Sequence, residues 1–220
     1  MKTAMQIIWD WNGTLLDDAA ACVKTINCMS QARGLRQIAL LEYRQLFRFP
    51  VHHFYTALGY DLANEDWDKL ADEYHACYRA ATGQAALRDG ALALVHRLHN
   101  KNYAQAVLSA CEQSLLQTML HRYDLVGFFN PVIGADNMDG ASKEGLALRL
   151  QAQLKSRPDE TLMIGDTDHD AHIAQQMGWH CVLLADGYQA TDLLLATGAP
   201  VCESYPDLIA KLQADWNMNL

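Results

Sequence analysis

The stretch AMQIIWDWNGTLLD, residues 4–17, decides how this chain is read. An apolar run through Ile7, Ile8 and Trp9 stops at Asp10, and Asn12, Gly13 and Thr14 follow at once. Short apolar runs bounded in this way are typical of strands buried on both faces. A carboxylate at the exit of such a strand stands where open α/β sheets bind their ligands.

Working outward from the run at 4–10, similar runs recur at 103–109, 131–134, 160–165 and 180–185, with a weaker one near 200–202. Amphipathic stretches at 89–99, 112–122, 142–155 and 169–177 lie between them. Leu92, Val95 and Leu98, and Leu146, Leu150 and Leu154, repeat there at helical spacing. The alternation predicts an α/β fold, a doubly wound, Rossmann-like parallel sheet with helices on both faces. One interval departs from it. Residues 18–86 carry four helical patterns and no strand pattern, with Gly59 and Gly83 read as helix stops. This predicts a helical cap domain over 18–86, inserted into an α/β core domain made of 1–17 and 87–220.

Half of the 220 residues are hydrophobic and 20% are charged, a composition that excludes a disordered chain. The formal net charge of -9 argues against a nucleic-acid partner or an anionic membrane surface. An anionic ligand must therefore be held by a local positive cluster or a metal. The N-terminus lacks a signal-peptide core, and no run approaches the ~20 apolar residues of a membrane helix. Six scattered cysteines without a CxxC pair read as reduced thiols, so a cytoplasmic location is expected. Nothing in the composition specifies an oligomeric state.

The predicted strand ends carry the chemistry. The first leads into Asp10 to Asp17, the second ends in Ser109-Ala110, and Lys143 opens the helix after the third. The fourth runs into Gly165-Asp166-Thr167-Asp168-His169-Asp170. If such a sheet has the order 3-2-1-4-5-6, strands one and four are neighbours and Asp10 would sit beside Asp166. Two adjacent carboxylates need a cation between them, and oxygen-only ligands favour Mg²⁺. A carboxylate held by metal beside a Ser hydroxyl and a Lys ammonium makes a phosphate site. An aspartate there can attack phosphorus to give an aspartyl-phosphate.

These four motifs, together with FFNPVIGAD at 128–136, the run Asp166…Asp170…Ala174…Gly178 and the pair Gly187-Tyr188, resemble the haloacid dehalogenase-like superfamily. The pattern is most similar to its phosphoglycolate phosphatase-like branch with a helical cap. The resemblance implies a Mg²⁺-dependent phosphohydrolase acting on a small phosphorylated metabolite, with phosphoglycolate as the family-level substrate. It implies Asp10 as nucleophile and metal ligand, Asp166 as a second ligand, and Asn12 as a ligand through its backbone carbonyl. Asp170 would hold a metal-bound water or orient the ligands. Ser109, Ala110 and Lys143 would bind the phosphoryl oxygens, and Thr14 would fix the loop. In the cap, Arg48 would meet a substrate carboxylate or phosphate, with His52 and His53 beside it.

One position departs from the family pattern. Phosphatases of the superfamily carry an acid/base Asp two residues after the nucleophile, where this chain has Asn12. Loss of such a group typically costs about 10²–10⁴-fold in rate. Two alternatives follow: a phospho-ligand binding or regulatory protein without turnover, and a C–P bond hydrolase using a cap lysine, for which only Lys24 and Lys69 are available. Asn12→Asp is expected to restore the general base. His169 and His172 read as surface histidines, His96 and His99 as helix-face residues, and Cys111 as a buried structural thiol. No Walker A loop, GxGxxG, GxSxG or HExxH is present.

Overall fold

The computed structural model describes residues 5–136 and 143–220. Residue 4 of the first expected strand and residue 142 of the third expected helix lie outside them. The chain runs β1 (Gln6–Trp9), β2 (Leu16–Asp17), α1 (Ala19–Ala32), α2 (Leu40–Leu46), α3 (Val51–Ala57), α4 (Trp67–Ala81) and β3 (Ala86–Leu87). It continues with α5 (Ala91–Asn100), β4 (Gln105–Glu112), α6 (Gln113–Arg122), β5 (Val132–Ala135) and α7 (Glu144–Gln151). It ends with β6 (Thr161–Gly165), α8 (Asp168–Met177), β7 (His180–Leu184), α9 (Thr191–Ala196), β8 (Val201–Cys202) and α10 (Tyr205–Trp216).

Six strands form one sheet in the order β5-β4-β1-β6-β7-β8, every neighbour parallel. Numbered among themselves along the chain, these strands have the order 3-2-1-4-5-6, the condition for Asp10 to stand beside Asp166. Successive side chains of a strand point to opposite faces, and the core divides accordingly. Ile7, Trp9, Leu162 and Ile164 pack on one face with Leu94 and Leu98 of α5 and Leu208 and Leu212 of α10. Ile8 and Met163 pack on the other with Ala147 and Leu150 of α7 and Ile173 and Ala174 of α8. Because helices cover both faces, the central strands read as continuous apolar runs rather than alternating ones.

The four expected helices between the first two sheet strands are α1 to α4. Gly59 ends α3 with φ +92, the left-handed geometry that favours glycine. Gly83 is no such stop: α4 ends at Ala81 and Thr82–Gln84 form a 3-10 turn. The sequence pattern also missed a two-stranded antiparallel ribbon, β2 with β3, which pairs Leu16 with Leu87 and Asp17 with Ala86 at the base of the helical insertion. Two residues per strand are too few to show a period. Among the described residues no helix is long and apolar enough to cross a membrane.

β4 extends past the expected end at Ser109-Ala110 to Glu112. Its register against β5 slips between Leu108, opposite Ile133, and Glu112, opposite Ala135. The resulting bulge carries Ser109, Ala110 and Cys111, and bulges of this kind re-aim side chains beside active sites.

Candidate active site

Asp10 follows β1 and Asp166 follows β6. Trp9 and Ile164 are register partners, so the two acids leave adjacent strands at the point where strand order reverses. Asp10, Asp166 and Asp170 are buried, each with an oxygen within 4.8 Å of the others. The Lys143 ammonium, at the start of α7, lies 2.8 Å from Asp10 Oδ2 and 2.8 Å from Asp170 Oδ1. Two of the three carboxylates thus share one buried ammonium.

The second turn of contacts holds each acid in place. Asp10 Oδ1 accepts from the Trp11 amide at 2.7 Å. Asp166 accepts from Thr14 Oγ1 at 2.6 Å and from the Tyr188 amide at 2.6 Å. Gly13, with φ +74, and Gly187 both press against the Asp166 carboxylate so closely that a Cβ at either would collide with it. Asp170 Oδ2 accepts from Thr167 Oγ1 at 2.7 Å and from the amides of Asp166 and Thr167, closing a reciprocal cap on α8.

Burial raises the Asp10 pKa well above the ordinary carboxylate value; Lys143 opposes this, while Asp170 and Asp166 add to it. Burial also pushes Asp166 up to about 7, with Asp170 adding to it and the bonds from Thr14 and Tyr188 holding it back. Asp170 suffers the same burial, but Lys143 and Thr167 outweigh it and hold its carboxyl below the usual value. Burial lowers the Lys143 pKa, and the two aspartates more than reverse that. If all four groups ionise, the cluster carries two uncompensated negative charges. An all-oxygen donor set with that deficit fits a divalent cation such as Mg²⁺.

A cavity of about 140 Å³ opens above Asp10. Asp10, Asn12, Ser109, Ala110 and Lys143 line it on the core side, and cap side chains close it. Ser109 is buried, its Oγ accepting from the Cys111 amide at 3.1 Å. Thr14 is not part of the cavity wall; it stands behind Asp166 as that residue's donor.

Arg48 does not line the cavity either. Its Nη1 donates to the Phe47 carbonyl at 2.6 Å and its Nε lies 4.0 Å from Asp168. His52 and His53 are exposed and contact each other; the histidine in the wall is His75. Nor does Lys24 or Lys69 reach the cavity, and Lys69 is 84% exposed against Asp66, so the cap-lysine route to C–P cleavage has no amine there. His169 corrects the surface reading: it is buried, accepts from the Lys143 amide at 3.2 Å and packs on Phe49. Cys111 is partly buried in the bulge and lines the cavity, and all six cysteines are free.

Sequence reasoning overlooked Asp18. The pair Asp17-Asp18 before a helical pattern suggests an N-cap, but Asp18 makes no side-chain cap bond with α1. It turns inward and is wholly buried. Its Oδ2 accepts from Tyr78 at 2.5 Å, Tyr188 at 2.7 Å and Asn12 Nδ2 at 2.8 Å, and its Oδ1 accepts from the Gly13 amide. Asn12 Nδ2 also bonds the Tyr78 hydroxyl at 2.8 Å. These partners lie up to 170 residues away, and no local pattern joins them.

Residues 7–184 match the haloacid dehalogenase-like hydrolase family, and the chain belongs to it. A phosphoglycolate phosphatase of Rhodobacter capsulatus is 26% identical over 194 residues, covering 86% of this chain and 88% of that protein. The tyrosine-protein kinase PtkA of Mycobacterium tuberculosis is 27% identical over 199 residues, covering 89% of this chain and 67% of the kinase. The structure of a haloacid dehalogenase-like family hydrolase from Streptococcus pneumoniae superposes with a TM-score of 0.80 at 18% identity. It covers 97% of this chain and all of that one, a likeness of fold.

Proposed function

We propose that this hydrolase is a Mg²⁺-dependent phosphatase of small phosphate monoesters working through an aspartyl-phosphate on Asp10. The core, 1–17 and 87–220, supplies the reacting groups, and the cap, 18–86, closes over the ester. One observation carries the reading: Asp10, held by Lys143 within a buried three-carboxylate cluster, faces a cavity beside Ser109. A carboxylate oxygen of Asp10 attacks phosphorus, and the bond to the alcohol oxygen breaks with its electron pair going to that oxygen. Water then attacks the acyl phosphate, releasing phosphate and the Asp10 carboxylate; the proton this water gives up balances the one the leaving alcohol oxygen takes from solvent. Ser109 and Lys143 hold the phosphoryl oxygens throughout. Mg²⁺ bound by Asp10, Asp166 and the Asn12 carbonyl, with Asp170 orienting them, would offset the cluster's negative charge and that of the phosphoryl group. The relatives named for phosphoglycolate supply the first ester to assay.

Asp166→Ala tests the metal site. The variant should lose Mg²⁺-dependent turnover and Mg²⁺-dependent thermal stabilisation. Full activity in Mg²⁺ would place the metal elsewhere. The sign of the pH dependence follows from Asp166 in the metal-free protein. Its folded pKa is about 7 against an ordinary 3.8, so between these values the folded state keeps a proton that the unfolded state has released. Stability from this group therefore falls as pH rises through that window. The Tm gain on adding Mg²⁺ should be largest above pH 7, as thermal scans with and without the ion will show.

Asn12 favours a second reading, a phospho-ligand binder without turnover, because an amide cannot shuttle the proton that hydrolysis needs. The Asp18 network changes what Asn12→Asp should do. A carboxylate at position 12 would face Asp18 Oδ2, now 2.8 Å from the amide nitrogen, and the two acids would have to share a proton. At pH 7 that protonation costs up to about 4 kcal/mol, about 1.4 per unit from an ordinary Asp pKa. The penalty should shrink as pH falls towards 4. The single variant is expected to be less stable and no faster. The exchange Asn12→Asp with Asp18→Asn keeps one acid and one amide. It should raise kcat with p-nitrophenyl phosphate at least ~10-fold. A stable exchange variant with no turnover on any ester would favour the binding reading.

A further inference from the structure

Above Asp10 the cavity is a chamber of rings. Tyr43 stands edge-on to Phe54 with centroids 5.2 Å apart and stacks on Phe47 at 5.3 Å, and Phe47 meets Phe49 edge-on at 5.3 Å. Tyr74 and Tyr78, stacked 5.7 Å apart, continue the wall. The whole cavity, phosphoryl end included, is only about 140 Å³, so the group it takes beside the phosphate must be compact.

The charges point the same way. Lys143 is the one lysine or arginine lining the cavity among the described residues, and it is already shared by Asp10 and Asp170. The nearby arginines of the cap are turned to the core surface: Arg48 to Asp168, Arg44 to Asp186 and the Gly187 carbonyl. His75, the other basic side chain of the wall, lies in the field of Glu112. A carboxylate on the alcohol part of an ester would be desolvated among rings without a guanidinium or a second ammonium to pair with. An aromatic ring would continue the edge-to-face array already there.

We infer that the alcohol part of the substrate is a compact, uncharged aromatic group, so that the enzyme takes aryl or benzyl-type phosphate monoesters in preference to carboxylate-bearing ones. The inference rests on the phosphatase reading and narrows its substrate class. Binding tests it without the bias of leaving-group reactivity. The Asp10→Asn variant, in Mg²⁺, is titrated calorimetrically with benzyl phosphate, methyl phosphate and phosphoglycolate. Benzyl phosphate is expected to bind at least ~10-fold more tightly than methyl phosphate, through burial of the ring. Phosphoglycolate should be the weakest of the three. Adding Phe49→Ala, a partly exposed member of the wall, should narrow the benzyl-to-methyl ratio. The ligand series on the unaltered wall decides the matter even if that variant does not fold. Phosphoglycolate or methyl phosphate binding as tightly as benzyl phosphate overturns this inference alone. Failure of all three to bind overturns the phosphate site itself and the inference with it.

Discussion

Asp10→Asn should abolish hydrolysis of every phosphate ester while leaving the fold intact, with a loss of at least about 10⁴-fold in kcat, as expected when a nucleophile is removed. The amide is nearly isosteric with the carboxylate, and the Trp11 amide that bonds Asp10 Oδ1 can still find an oxygen. Two effects on stability oppose each other: a buried carboxylate no longer has to be ionised at pH 7, but Lys143 loses one of its two partners and keeps Asp170. The metal-free Tm of the variant is therefore expected to lie close to that of the parent, and its Tm gain on adding Mg²⁺ to be smaller. Rapid acid quench of the parent with a ³²P-labelled ester should place the label on Asp10. Label on a serine or histidine would mean a different reaction.

Lys143→Met should produce the largest loss of stability of any single change in the site. Its ammonium touches Asp10 and Asp170 at 2.8 Å each, and all three groups are buried. Methionine fills similar volume but leaves the carboxylates without their cation, and breaking a buried ion pair in this way typically costs about 3–5 kcal/mol. The loss should be greatest near pH 7 and smaller near pH 4, where the carboxylates can take up protons. Urea titrations at the two pH values will show it. Turnover should fall as well, since the same ammonium faces the phosphoryl site. A variant as stable as the parent at pH 7 would mean that the two aspartates do not depend on Lys143.

The sheet was legible because its strands are buried on both faces. Ile7, Ile8 and Trp9, or Leu162, Met163 and Ile164, need no partner to announce a strand, and the acids at their exits mark the ligand edge. Asp10, Asp166, Asp170, Ser109 and Lys143 could be ordered along the chain for the same reason: Asp10 and Asp166 follow strands, Ser109 stands near the end of one, and Asp170 and Lys143 lie at the start of helices.

What lay beyond the sequence depends on contacts between distant elements. Asp18 looks like a helix cap by its position, and only the arrival of Tyr78 from α4 and Tyr188 after β7 makes it a buried acceptor. Arg48 has the charge to meet an anion, but the packing of its loop against α8 directs it to Asp168 instead. His169 sits on an exposed-looking helical turn until Phe49 of the cap covers it. The sequence by itself determined the parallel sheet and the acids at the ends of its strands, because burial and turn chemistry are local. Tertiary structure decided which groups stand beside Asn12 and what lines the chamber, because those depend on how the cap packs over the core.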